Sequence, residues 1–161
     1  MQDHGNPEHT RLLVIGLGNL LRGDDGVGVH LARALAREAW PAGVRILDAG
    51  TPGLALLDLI EDADRVLILD AGDSSDPPAT ICVFTPEEVC QARDSAPLSV
   101  HQADLLGVLR LGEALSMAVP VTLVAIQPQS LKPGTELSPA LAEAFPGLLA
   151  CIRTLIRSLC Q

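Results

Sequence analysis

The chain has 161 residues, enough for one domain with a real core; 48% are hydrophobic but only 2% aromatic. Trp40, Phe84 and Phe145 are the aromatic residues, so the core must be built from Leu, Val, Ile and Ala, and no aromatic platform exists for stacking bases. Twenty acidic residues against eleven basic give a net charge of -9, which argues against nucleic acid as a partner, because phosphate binding needs a basic surface.

Residues 1–10 are polar, carry His4 and His9, and read as a loose tail ahead of a single domain over residues 11–161. They lack the apolar stretch of a signal peptide, and no uninterrupted apolar run reaches membrane-spanning length. The cysteines, Cys82, Cys90, Cys151 and Cys160, form no C-x-x-C pair; Cys82 and Cys151 read as buried thiols. Together these features suggest a reducing, cytoplasmic setting with no membrane partner.

Leu12–Leu17 is an apolar strand that runs into Gly16-x-Gly18 and then into two adjacent carboxylates, Asp24 and Asp25. A glycine turn between strand and helix suggests a dinucleotide site, but G-x-G-x-x-G fails here because Leu21 stands at the third glycine. Carboxylates at that turn would repel a pyrophosphate and suit a cation. Lys132 is the only lysine, so no P-loop lysine is available either.

Asp24 is the expected N-cap of a helix through about residue 39, and His30 reads as an ordinary helical histidine. Residues 44–47 form a second strand that ends at Asp48, followed by the turn Asp48-Ala49-Gly50-Thr51-Pro52-Gly53 and a short helix. Residues 66–69 form a third strand ending at Asp70. A strand at residues 80–84 follows too closely for a parallel crossover, so it should be antiparallel. Ser99 and Gln102 make a capping-box pattern that opens a helix and puts His101 in its first turn. Val121–Ile126 is the last strand. Residues 127–138 form a Pro/Gly loop, and Ser138-Pro139 caps a final helix with a local break signal at Pro146-Gly147.

This alternation predicts a three-layer α/β/α sandwich with a five-stranded mixed sheet, mostly parallel with one antiparallel strand. A strand order of 2-1-3 opens a crevice between strands one and three, flanked by Asp25 and Asp70, with His101 at the same edge and Asp48 one strand away. Two carboxylates and an imidazole suit a divalent transition metal, with nickel, zinc, manganese and iron all compatible. A receiver-like signalling domain phosphorylated on Asp70 is an alternative, but such domains need a lysine after the last strand, where this chain has Gln127. A non-catalytic metal-binding module is another alternative.

Four segments carry a family resemblance. They are Gly16-x-Gly18-Asn19-x-Leu21-x-x-Asp24-Asp25-Gly26-x-Gly28, Asp48-x-Gly50-Thr51-x-Gly53, Val66–Ala71 and Ser99-x-His101-Gln102. In this order and spacing they resemble the [NiFe]-hydrogenase maturation endopeptidases. The resemblance implies a protease that removes the C-terminal extension of a hydrogenase large-subunit precursor after nickel insertion. It implies that Asp25, Asp70 and His101 bind nickel, carried by the substrate rather than held permanently. It marks Asp24, Asp48, Gly50 and Thr51 as further candidates at the site edge, and a monomer is the default expectation. The chain contains neither H-E-x-x-H nor G-x-S-x-G, so the catalytic group stays open between a metal-polarised carbonyl and a carboxylate general base.

Overall fold

The computed structural model describes residues 9–88 and 100–161, with the backbone alone for residues 100–103. The expectations for residues 1–8, the strand-to-helix segment before residue 100 and the capping pair at Ser99 and Gln102 lie outside the described residues. The elements are β1 (Leu12–Leu17), a 3-10 turn (Gly23–Gly26), α1 (Val27–Leu35), β2 (Val44–Gly50), a 3-10 turn (Gly53–Ala55), α2 (Leu56–Ile60), β3 (Val66–Ala71), β4 (Ile81–Phe84), α3 (Val100–Ala114), β5 (Val121–Ile126) and α4 (Pro139–Leu159).

The five strands form one sheet in the order β2-β1-β3-β5-β4. β4 runs antiparallel on the edge, and the other pairs are parallel. The short connection before β4 left no room for a crossover, so the strand turned back along β5. The carboxyl ends of four strands therefore share one rim.

Period-two alternation along the central strands divides the core between the two faces of the sheet. Leu12, Val14, Leu67, Leu69, Val124 and Ile126 pack on one face under α1 and α4. Leu13, Ile15, Val66, Ile68 and Leu123 pack on the other with α2 and α3. The result is a helix–sheet–helix sandwich with a core of branched aliphatics, as the scarcity of aromatic residues required.

Two glycines set how close α1 lies to the sheet. A Cβ on Gly16 would collide with the Gly28 carbonyl and come within 2.6 Å of the Ala32 Cβ. A Cβ on Gly28 would collide with the Leu69 carbonyl and come within 2.5 Å of the Leu17 carbonyl oxygen. The obstructing atoms are mostly backbone and cannot swing aside. The glycines of this turn thus serve helix-on-strand packing rather than a phosphate.

Some local expectations are corrected. α1 ends at Leu35, before the run to residue 39 that spacing suggested. β2 and β3 extend past Asp48 and Asp70, so both aspartates lie within strands. α4 is continuous through Pro146 because that residue and Gly147 are exposed, and solvent can serve the carbonyl that proline leaves without a partner. α4 is long and apolar enough, by length and composition, to cross a membrane, but Leu141, Leu148, Ile152 and Ile156 are buried in the core. Cys151 is exposed, one residue off that buried stripe, and Cys82 on the edge strand is only half-buried.

Gly28→Ala is expected to destabilise the fold by about 2–3 kcal/mol through overpacking. Gly107→Ala, on an open face of α3 with no atom within 4 Å, should leave stability unchanged or raise it by about 1 kcal/mol. Denaturant unfolding of the two variants checks the contrast.

Candidate functional site at the strand rim

Successive residues of a 3-10 turn point about 120° apart, so neighbouring carboxylates face different surroundings. Asp24, 0% exposed, turns toward the loop before α4. Its Oδ2 accepts hydrogen bonds from the backbone amides of Gln129 at 2.8 Å and Ser130 at 3.0 Å, and its Oδ1 accepts from that of Ser138 at 2.7 Å. Burial alone would raise its pKa, but donation from Ser138, Ser130 and Gln129 outweighs burial and holds the carboxyl below its ordinary value. Asp24 is therefore a clamp on the loop and not the N-cap of α1, whose N-cap residue is Gly26.

Asp25, 5% exposed, faces away from that loop, and its Oδ2 accepts from the amide of Asn19 at 2.9 Å. It lines an open cleft of about 220 Å³ at the rim of the sheet. Asp70 enters the same cleft from β3, and its Oδ1 accepts from the Ala71 amide at 2.8 Å. Burial, with a smaller push from the Asp25 charge and against the pull of the Ala71 amide, raises the Asp70 carboxyl to about 7. The two carboxylates are close enough to feel each other.

Gly50 and Thr51 form the β2 side of the cleft. Gly50 adopts a φ of 58° with nothing within 4 Å of a Cβ position, so conformation, not crowding, calls for glycine there. Asp48 does not join them. Its carboxylate pairs with the Arg33 guanidinium on α1 at 2.7 Å and accepts from the Gly50 amide at 3.2 Å, bracing the turn from behind. His30 lies in that corner, and burial together with Arg33 holds its imidazole below the ordinary value against the opposing Asp48 charge.

α3 supplies the remaining wall through Asp104, Leu105 and Val108. His101 stands in the first turn of α3, three residues before Asp104, and its side chain lies outside the described atoms. Among the described residues no three His, Cys, Asp or Glu side chains gather as metal ligands. What the structure does bring together is Asp25, Asp70 and Asp104, a cleft lined by three carboxylates and no basic residue among the described ones.

A family model described as hydrogenase maturation protease matches residues 29–154. The chain belongs to that family. The hydrogenase 2 maturation protease of Escherichia coli K12 is 37% identical over 153 residues, covering 89% of this chain and 91% of that one. The hydrogenase expression/formation protein HupD of Rhodobacter capsulatus is 35% identical over 135 residues, covering 82% of this chain but 64% of its own length. Among solved structures, the hydrogenase maturating endopeptidase HybD of E. coli superposes with a TM-score of 0.79 at 33% identity, covering 92% of this chain and 93% of that one. The chain is accordingly an endopeptidase of hydrogenase maturation with the fold of that group.

Asp104 stands outside the residues that the sequence motifs single out. The available signal was helical spacing, since Asp104, Leu105 and Val108 follow His101 by three, four and seven residues. Asp24 read as a helix cap in sequence because the amides that hold it lie over a hundred residues away.

Asp24→Ala would leave three backbone amides without their acceptor and should cost about 2–4 kcal/mol in denaturant unfolding. The contribution of Asp24 is present above its unfolded pKa of 3.8 and is lost as pH falls through its lower folded value. For Asp70 the sign is opposite: a raised carboxyl is protonated in the fold but charged in the unfolded chain, so its contribution falls as pH climbs from 3.8 to about 7. Asp70→Asn should raise Tm at pH 8 by about 2–6 °C, and this gain should vanish near pH 4; thermal melts at both pH values check it.

Proposed function

We propose that this endopeptidase removes the C-terminal extension of a [NiFe]-hydrogenase large-subunit precursor once nickel is in place, and that Asp25, Asp70 and His101 read that nickel. The observation that carries the reading is the convergence of Asp25 and Asp70 on one cleft, in a chain of the hydrogenase maturation protease family. Two carboxylates and an imidazole form a mixed oxygen and nitrogen donor set that suits a first-row divalent ion. The nickel belongs to the substrate. The protease would add ligands to an ion already held by the precursor and so tell a loaded site from an empty one. The reading includes a cytoplasmic monomer whose partner is the precursor, with neither nucleic acid nor membrane involved. The receiver alternative is weaker, since the amide of Gln127 at the end of β5 is spent on the loop after β3, where its Oε1 accepts from the Ser74 amide at 2.7 Å and its Nε2 donates to Asp73 at 3.1 Å.

The test is incubation with nickel-loaded and nickel-free precursor, followed by intact mass. Release of a peptide from the loaded form alone is expected. Asp25→Ala should slow that release by about 30-fold or more, the equivalent of losing a desolvated charge contact of about 2 kcal/mol. Equal trimming of both precursor forms, or full trimming by Asp25→Ala, contradicts nickel reading.

A further inference from the structure

The two edges of the sheet lead to different places. β4 has four residues and is entered from the loop after β3, and none of its residues lines the acidic cleft. β2 has seven residues and climbs to Gly50, where Gly50, Thr51, Pro52 and Gly53 continue as the cleft wall. One edge of the sheet therefore opens into the cleft.

Backbone hydrogen-bonding groups alternate in direction along a strand. The Leu12 amide donates to the Gly43 carbonyl at 3.0 Å, with Leu12 opposite Val44 in the ladder. In that register Arg45 and Leu47 turn their N–H and C=O groups to β1, while Val44, Ile46 and Asp48 turn theirs outward. The Val44 amide is taken by the Pro41 carbonyl at 3.1 Å. Those of Ile46 and Asp48 have no backbone partner among the described residues. Such a row is a template for another strand. The way from this edge to the cleft is low: Gly50 and Gly53 have φ of 58° and 56°, and neither has an atom within 4 Å of its Cβ position.

We propose that the outer edge of β2 is the dock for the C-terminal extension of the precursor, which joins the sheet as a further strand antiparallel to β2. The proposal rests on the processing reading above. Backbone pairing supplies the affinity, so the dock takes an extended segment with its amides intact rather than one particular sequence. Direction follows from the topology, because β2 climbs toward the rim and an extension that starts in the crevice at the rim descends beside it. Strands lie about 4.8 Å apart, which puts the added strand about 12 Å from the crevice between β1 and β3, a span of about four extended residues. Pairing therefore begins about four residues after the extension leaves the crevice.

The scissile bond is first located from the mass of the peptide that the unaltered chain releases from nickel-loaded precursor. Two loaded precursors with full-length extensions are then compared. Each carries two prolines one residue apart, in opposite alternating registers, within the segment about four to eight residues past that bond. Proline removes the amide donor, so one register loses the amides that face β2 and the other loses those that face solvent. The unaltered chain should cleave the first about tenfold more slowly, through KM with kcat kept, and the second at the full rate. Ile46→Pro removes an outward amide and no bond to β1, a change that edge strands accept. It should slow cleavage of the ordinary precursor about fivefold and slow the first proline precursor no further. Melting curves show whether Ile46→Pro is folded; if it is not, the two registers decide. Equal rates in the two registers, both high or both low, overturn the dock and leave the processing reading standing, as does full-rate cleavage by folded Ile46→Pro or its further slowing of the first proline precursor. Release of no peptide from any loaded precursor by the unaltered chain overturns the dock and the processing reading together.

Discussion

The arrangement of the rim depends on the contact of α1 with β1 and β3, backbone against backbone, at Gly16 and Gly28. With no Cβ at either position, the helix sits low on the sheet and the chain must drop into a tight 3-10 turn to reach it. Gly18 is drawn into the same constraint, since its φ of 134° brings it against the Asp25 carbonyl. The turn then presents two carboxylates in two directions. One anchors the loop that leads to α4, and the other faces the cleft.

Electrostatics follows from that placement. Asp24 is stabilised as an anion by backbone amides, the condition under which a buried carboxylate is tolerated. Asp70 has only the Ala71 amide in that role, and burial with the neighbouring Asp25 charge outweighs it and disfavours the ionised form. The cleft therefore contains one carboxylate whose charge is costly at neutral pH, and a cation would relieve that cost. That cost is consistent with the proposal that the cleft reads an ion carried by another polypeptide. Asp48 illustrates the opposite case, a carboxylate satisfied by Arg33 and directed away from the cleft.

Strands were legible because buried parallel strands are near-continuous apolar runs, and β1 and β5 coincide with the runs in the sequence. The antiparallel edge strand followed from connection length alone. Less legible was everything decided by contacts distant in sequence. Asp24 has the local pattern of a helix cap, and the loop at residues 129–138 makes it a clamp instead. Pro146 is a helix breaker by local rules, but the apolar stripe from Leu141 to Ile156 carries α4 through it. Helical spacing puts Asp104 on the face of His101, but that this face meets the cleft is decided by how α3 lies across the sheet.

The most direct measurement of the central claim is a crystal structure with a divalent transition ion added, locating the ion by its anomalous scattering. The account predicts one strong peak at the strand rim, with the carboxylates of Asp25 and Asp70 and the imidazole of His101 each about 2 Å from it. A peak elsewhere, or those three side chains fixed too far apart to share one ion, would contradict it.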